Sequence, residues 1–155
     1  MSGIVGGAGS KSGIIGQTEL DYEEGTWTPV LNDDNSEFQH SEQDGFYTKI
    51  GRFVFCNGTI TTNGNSGITG SQTVRCTGIP FTASSIANSY AGGAFSYVTG
   101  VAITASENFG IRVDTHGTTC YFPIWDRGTG TGNLNCSTWS DDGSGRFYFQ
   151  YMTDQ

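Results

Sequence analysis

The sequence is poor in charged residues. Asp, Glu, Lys and Arg make up 14% of the 155 residues, against roughly 25% in an average soluble domain. Basic residues are the scarcer class, with 7 Lys and Arg against 15 Asp and Glu and a net charge of −8, and they are scattered along the chain. Because binding to nucleic acid or to anionic lipid needs a basic patch that displaces counterions, the sequence predicts neither partner.

Long hydrophobic runs are also missing. No apolar run approaches the roughly 20 residues of a membrane-spanning helix, and no basic-then-apolar signal segment is present. We therefore expect a chain that is made in the cytosol and stays soluble. The 4 cysteines stand singly, without a CxxC pair, which argues against a zinc or dithiol redox site. We expect reduced structural thiols at Cys56, Cys76, Cys120 and Cys136.

Helix-forming patterns are scarce, whereas glycine and aromatic residues are abundant. The chain has 24 Gly, 10 Phe, 7 Tyr and 3 Trp but only 3 Pro, which is typical of short strands joined by tight turns. Strands are predicted at 25–31, 46–50, 52–61, 72–78, 91–98, 101–105, 109–114, 119–125 and 146–152, with a short one near Phe38 and a hairpin-type loop at 63–67. This spacing predicts an all-β fold, an antiparallel β-sandwich or jelly roll.

Two of the predicted strands carry apolar side chains on both faces. In the strand at 52–61, Val54 and Cys56 alternate with Phe53 and Phe55, which predicts an interior strand that is covered on both sides. The last strand, 146–152, is aromatic on both faces. It is predicted to be either central in the sandwich or part of a subunit interface.

The first part of the chain is predicted to be an arm. Residues 1–24 form a glycine-rich arm with an acidic connector, and residues 25–155 form the β body. The unit Ser-Gly-Ile-Val-Gly at 2–6 returns as Ser-Gly-Ile-Ile-Gly at 12–16. A glycine-rich string cannot build a core, so the arm is either a disordered tail or a segment that orders on a neighbouring subunit. On the second interpretation its contacts are Ile4, Val5, Ile14 and Ile15.

No catalytic, metal or cofactor site is predicted, and we do not expect an enzyme. Three acidic pairs fall in polar, turn-like stretches, where solvated charge is the expected role, although a weak calcium site at 33–35 stays open. No nucleophile elbow accompanies Asp114 and His116, and Ser10 breaks the phosphate-loop pattern before Lys11. The three acidic pairs are Glu23-Glu24, Asp33-Asp34 and Asp141-Asp142.

Two polar loops near tryptophans are the candidate receptor contacts. Aromatic rings beside hydrogen-bonding groups can stack on a sugar and bind its hydroxyls. The alternative is that both tryptophans belong to the core or to a subunit interface. The candidate residues are Trp125, Asp126, Arg127 and Trp139.

Four motifs of the body occur in a familiar order: Gly-Thr-Trp-Thr-Pro at 25–29, Tyr-Thr-Lys-Ile-Gly-Arg-Phe-Val at 47–54, Gly-Thr-Ile at 58–60 and Gly-Ile-Pro-Phe-Thr at 78–82. Together with Ser-Lys-Ser-Gly-Ile-Ile-Gly at 10–16, they resemble a small β module of virion proteins of tailed bacteriophages, especially marine and cyanobacterial ones. The resemblance covers residues 1–82. It implies a homotrimer with a β-sandwich or jelly-roll body at the virion surface, assembled in the host cytoplasm.

Two virion roles follow from this resemblance. A capsid decoration (cement) protein would clamp the major capsid protein or other virion subunits through its arm. A tail-fibre or other tail component would bind a host-surface receptor or glycan through its loops. Because the sequence contains no fibrous shaft and no coiled-coil heptads, the decoration role is expected first.

Overall fold

The structure, a computed structural model, describes residues 21–86, 91–126, 128 and 130–154. Within these ranges the regular structure is almost entirely β, and the one helical element is a short 3-10 turn at Cys136–Thr138. No helix among these residues has the length and hydropathy that a membrane crossing requires. The strands are β1 (Tyr22–Trp27), β2 (Val30–Asn32), β3 (Gln39–Ile50), β4 (Phe53–Gly64), β5 (Arg75–Thr77), β6 (Ala91–Val101), β7 (Asn108–Phe109), β8 (Ile111–Val113), β9 (Thr119–Tyr121), β10 (Pro123–Asp126), β11 (Gly130–Asn133) and β12 (Trp139–Met152).

Nine strands form one antiparallel sheet in the order β1-β3-β4-β12-β6-β8-β9-β5-β2, and a second, three-stranded sheet has the order β11-β10-β7. The strands β1 and β2 lie at opposite edges of the large sheet, yet only Thr28 and Pro29 separate them in sequence. A link of two residues spans about 10 Å at most. The two edges therefore lie close together, and the sheet curls onto itself, which confirms the predicted all-β fold of the sandwich or jelly-roll type.

The core lies inside this curled sheet and is largely aromatic. Trp27 meets Phe147 and Phe149 edge to face, with ring centroids 6.2 and 5.7 Å apart. Room for the indole comes from Gly45, where an added Cβ would lie 2.5 Å from Nε1 of Trp27. Burial of these rings drives the folding of the body, since each contributes about 1.5–3 kcal/mol.

The long strands are longer than predicted. The strand β3 begins at Gln39, whereas the sequence predicts a strand only from residue 46, and β1 begins at Tyr22 inside the predicted acidic connector. Pairing with a neighbour explains both differences, because β4 continues to Gly64 opposite Gln39 and β1 pairs with β3 from Tyr22, which is opposite Ile50. Two strands were predicted at 91–98 and 101–105. The structure has one strand there, β6, which ends at Val101, and residues 102–105 are not in a strand.

Two predicted strands are each divided between the two sheets. The run 109–114 breaks at Gly110, and the run 119–125 breaks at Phe122, whose ring is 0% exposed. The chain leaves the large sheet at these points so that Phe122 can enter the core. The loop at 63–67 does not close a hairpin between β4 and β5, because the neighbours of β4 are β3 and β12.

Candidate interaction surface

The candidate receptor residues do not form one site. Trp139 is 1% exposed, and its Nε1 donates to Oγ1 of Thr62 at 3.1 Å. The receptor contact predicted for Trp139 is therefore wrong, and its alternative role in the core is correct. The strand β12 places Trp139 at its inward-facing start, a position that the polar residues following it in sequence do not reveal.

Trp125 and Asp126 lie on opposite faces of β10. The Trp125 side chain is 42% exposed and lies over Gly110, where an added Cβ would be 3.1 Å from the indole. Asp126 points to the other face and lines a cleft of about 380 Å³ together with Glu107. A sugar stacked on Trp125 would therefore not reach the Asp126 carboxylate, and Arg127 lies outside the described residues.

The cleft beside Asp126 is polar. Half of its other lining residues carry hydroxyls or amides, and its carboxylates are at Glu107 and Asp126. The backbone N–H of Thr104 donates to Glu107 at 2.7 Å, and hydrogen bonds from Thr104 lower the pKa of Glu107 while the nearby Asp126 opposes the shift. The polar lining residues are Thr104, Asn133, Asn135 and Thr138.

The arm contacts Ile4, Val5, Ile14 and Ile15 lie outside the described residues, so their role stays a prediction. The described chain starts at Asp21. There the carbonyl oxygen of Asp21 accepts from the N–H of Gly51, and its carboxylate forms an ion pair with buried Lys49.

A second surface, which the sequence analysis did not identify as a site, lies on the outer side of β3, β4, β12 and β6. We call it the aromatic face and define it by five exposed rings. The cross-strand registers place them in neighbouring rows, since Phe55 lies between Thr48 and Gln150, and Tyr148 lies opposite Asn57. The rings are Phe46, Phe53, Phe55, Tyr97 and Tyr148, exposed by 59%, 50%, 44%, 51% and 57%.

The central rows of this face carry no charge. In the central rows the outward side chains between the rings are Thr48, Asn57, Gln150 and Met152, all uncharged. Carboxylates stand at the rim: on the edge strand Glu24 is opposite Thr48, and towards one end Asp44 is opposite Thr59. Near that end the guanidinium of Arg146 lies over the Tyr97 ring at 5.6 Å.

The aromatic face also contains a concave area. A cleft of about 400 Å³ opens between Phe46, Phe55 and Tyr148, and Asn57 and Gly92 also line it. The sequence signal for this surface was the apolar alternation on both faces of β4 and β12. The interior position of β4 is confirmed, and of the two alternatives for β12 the structure shows the central position. The expectation that both faces of β4 are covered is wrong for the single chain.

The acidic pair at Asp33 has a structural role. Asp33 is 1% exposed and accepts from the N–H groups of Asn35, Ser36 and Thr69 at 2.9, 2.6 and 2.7 Å. These donors, that of Thr69 foremost, lower the pKa of Asp33. Solvated charge was therefore the wrong expectation here, and the calcium interpretation loses support because N–H donors occupy the oxygens. The described residues contain no cluster of three or more His, Cys, Asp or Glu that could hold a metal ion.

The other acidic pairs lie on strands. Glu23 and Glu24 are part of β1 and accept from the hydroxyls of Tyr47 and Tyr22 at 2.6 and 2.7 Å. Asp141 and Asp142 lie in β12 at an irregularity in its pairing with β6. All four carboxylates are on exposed residues, so the turn-like setting predicted for them is wrong although the exposure is correct.

The cysteines are buried, and His116 lies in a turn. All four cysteines are free and buried, as predicted, with Cys76 directly opposite Cys120. Burial raises the pKa of the Cys56 and Cys76 thiols to about 12, so they are protonated at neutral pH. His116 lies in a turn with φ of 61°, away from any strand face that it could share with Asp114.

No family model matches this sequence, and no curated protein matches it. Among solved structures, the crystal structure of the Dettilon tailspike protein matches with a TM-score of 0.70, 14% sequence identity and coverage of 84% of this chain. The chain spans 24% of the tailspike chain. At this identity the likeness shows the fold, so the body has the β fold of one part of a bacteriophage tailspike, and nothing supports a marine or cyanobacterial origin.

Proposed function

We propose that this chain is a structural module of a bacteriophage tail, of the tailspike or tail-fibre class, and that it acts without catalysis. The observation that carries the proposal is the TM-score of 0.70 over 84% of the chain to a phage tailspike. The motifs at 25–82 support the same class of protein independently. A homotrimer, which the resemblance implies, is part of this proposal.

The tail role is preferred to capsid decoration for a reason that the sequence did not contain. The tail hypothesis is supported by the likeness of the body's fold to a tailspike, whereas the decoration hypothesis depends on the arm residues Ile4, Val5, Ile14 and Ile15. Capsid decoration becomes the competing outcome of the localisation experiment.

Immunogold labelling of purified particles tests the proposal. Antibodies are raised against residues 21–155, and particles are imaged by negative-stain electron microscopy. We expect gold at the tail. Gold distributed over the capsid shell would favour decoration instead, and particles without gold would contradict both virion roles.

We further propose that the polar cleft contacts a host glycan. Its hydroxyls, amides and the carboxylates of Glu107 and Asp126 offer many hydrogen-bonding groups for sugar hydroxyls, as sugar recognition requires. Binding of fluorescent protein to host cells should fall at least about tenfold in Glu107→Gln/Asp126→Asn, with Asp141→Asn as the exposed acidic control. Equal binding by wild type and double variant would contradict this role for the cleft.

A further inference from the structure

The aromatic face is a large exposed apolar patch. Ten large apolar side chains of the described residues are exposed, and seven of them lie on β1, β3, β4, β6 and β12. An aromatic side chain has about 200 Å² to bury, so five rings near half exposure leave on the order of 500 Å² open to solvent. A monomer's largest apolar patch is typically about 300–600 Å² and often functional.

This area agrees with what a subunit interface requires. A standard interface buries about 800 Å² on each partner, and in homodimers about 65% of it is apolar, or roughly 500 Å². The residue types agree too, because aromatic residues, Met and Arg are enriched at interfaces whereas Lys, Glu and Asp are depleted. We propose that the aromatic face binds a second copy of this chain.

The charge distribution favours a second copy as the occupant. Each chain carries a net charge of −8, so two copies repel each other over most of their surfaces. The central rows of the aromatic face are uncharged, and there two copies can approach without opposing carboxylates. The surroundings supply both signs, because Asp44 and Arg146 flank Thr59 in one row at the end of the face and Glu24 lies on the edge strand β1.

The cleft provides a place for a central contact. It opens between Phe46, Phe55 and Tyr148, and an aromatic side chain of the second copy fits a groove of about 400 Å³. Rings that enter a pocket near the centre of an interface contribute most of the binding energy. The second copy would also cover the outer face of β4, which accounts for the apolar pattern on both of its faces.

The test is the oligomeric state of the full chain, measured by sedimentation velocity and by size-exclusion chromatography with light scattering. We expect a multiple of the 16.5 kDa chain mass. The double variant Phe55→Gln/Tyr148→Gln should raise the dissociation constant at least about 100-fold, since it removes two half-exposed rings from each copy. The matched control is Ile103→Gln, 37% exposed and away from the face, and it should keep the wild-type mass.

A second variant guards against misfolding of the first. Thr48→Arg leaves every ring in place but sets a charge in the uncharged centre, and it should also dissociate the assembly while circular dichroism stays unchanged. A wild-type chain that is monomeric at roughly 100 µM, or an assembly that survives both variants, would overturn the proposal. Loss of assembly only on deletion of residues 1–20 would overturn it in favour of the arm.

A glycan as the true occupant would appear as a monomeric wild type whose binding to host polysaccharide is lost in Phe55→Gln/Tyr148→Gln, and this result would also overturn the proposal. The immunogold experiment reports location and not mass. A monomeric wild type would also contradict the homotrimer of the proposed function, but gold at the tail would still support the tail location, so the tail location and the aromatic interface can fail separately.

Discussion

Replacement of Thr62 by valine tests the buried polar contact at the start of β12. Thr62 is 2% exposed and Trp139 is 1% exposed. The Thr62 hydroxyl accepts from the indole N–H at 3.1 Å, and its single proton is shared between the carbonyl oxygens of Ser140 and Gly143, each 3.1 Å away. One hydroxyl thus satisfies a buried donor and ties the irregular part of β12 to β4.

The magnitude follows from the groups that valine leaves unpaired. Valine has nearly the shape of threonine, so no cavity forms, but the indole N–H of Trp139 loses its acceptor in the core. A buried donor without a partner costs about 1–3 kcal/mol, and the carbonyl groups lose a donor as well. We expect Thr62→Val to lower the free energy of unfolding by about 2–3 kcal/mol, or the melting temperature by roughly 5–10 °C.

Urea unfolding followed by tryptophan fluorescence and a thermal scan measure this effect, at protein concentrations low enough to keep the chain dissociated. The control is Thr59→Val on the outer side of the same strand, where a change within about 0.5 kcal/mol is expected. In a Trp139→Phe background, which lacks the N–H, the cost of Thr62→Val should shrink to under about 1 kcal/mol. A Thr62→Val protein as stable as the wild type would refute the reasoning.

Three further perturbations address other parts of the fold. Asp33→Asn should lower the free energy of unfolding by about 1.5–3 kcal/mol at pH 7. The lowered pKa of Asp33 stabilises the fold above about pH 4 and stops doing so as pH falls through its folded value, so the gap between variant and wild type in urea unfolding should narrow in acid; a constant gap would contradict this. Gly93→Ala should cost about 2–3 kcal/mol, because its Cβ would lie 2.0 Å from a backbone oxygen of β12, whereas Gly132→Ala, with open space around it, should melt like the wild type. Thiol titration with a disulfide reagent at neutral pH should label neither Cys56 nor Cys76 until denaturant is added, since both are buried with pKa raised to about 12; rapid labelling of the native protein would contradict their burial.

Strand existence was predictable, whereas strand boundaries and sheet membership were not. The glycine-rich turns and aromatic runs predicted most strands because turn chemistry and alternation are local properties of a sequence. The extension of β3 back to Gln39 depends on pairing with β4, and the breaks at Gly110 and Phe122 depend on which sheet the chain joins. Such pairings join residues far apart in sequence, so a local sequence pattern does not predict them.

The candidate surfaces were likewise predictable from the sequence only in part. Trp125 is exposed beside a polar loop, as a receptor contact requires. Trp139 is buried, because the irregular start of β12 turns its ring inward and Thr62 binds its N–H. Asp33 was predicted to be a solvated charge in a loop. Its carboxylate instead accepts hydrogen bonds from three N–H groups that come together only when the chain folds. The aromatic face was present in the sequence as apolar alternation on both sides of β4 and β12. Only the sheet order showed that one of those sides is open.

By itself the sequence determined the all-β class, the setting of the cysteines as free thiols and the interior position of β4. These properties follow from composition and period-two alternation, which act residue by residue. The tertiary structure alone decided that the sheet curls until β1 and β2 are neighbours, that Trp139 is core, and that Phe46, Phe53, Phe55, Tyr97 and Tyr148 share one uncovered face. The reason is physical: side chains from strands far apart in sequence share a surface only after the cross-strand registers are set.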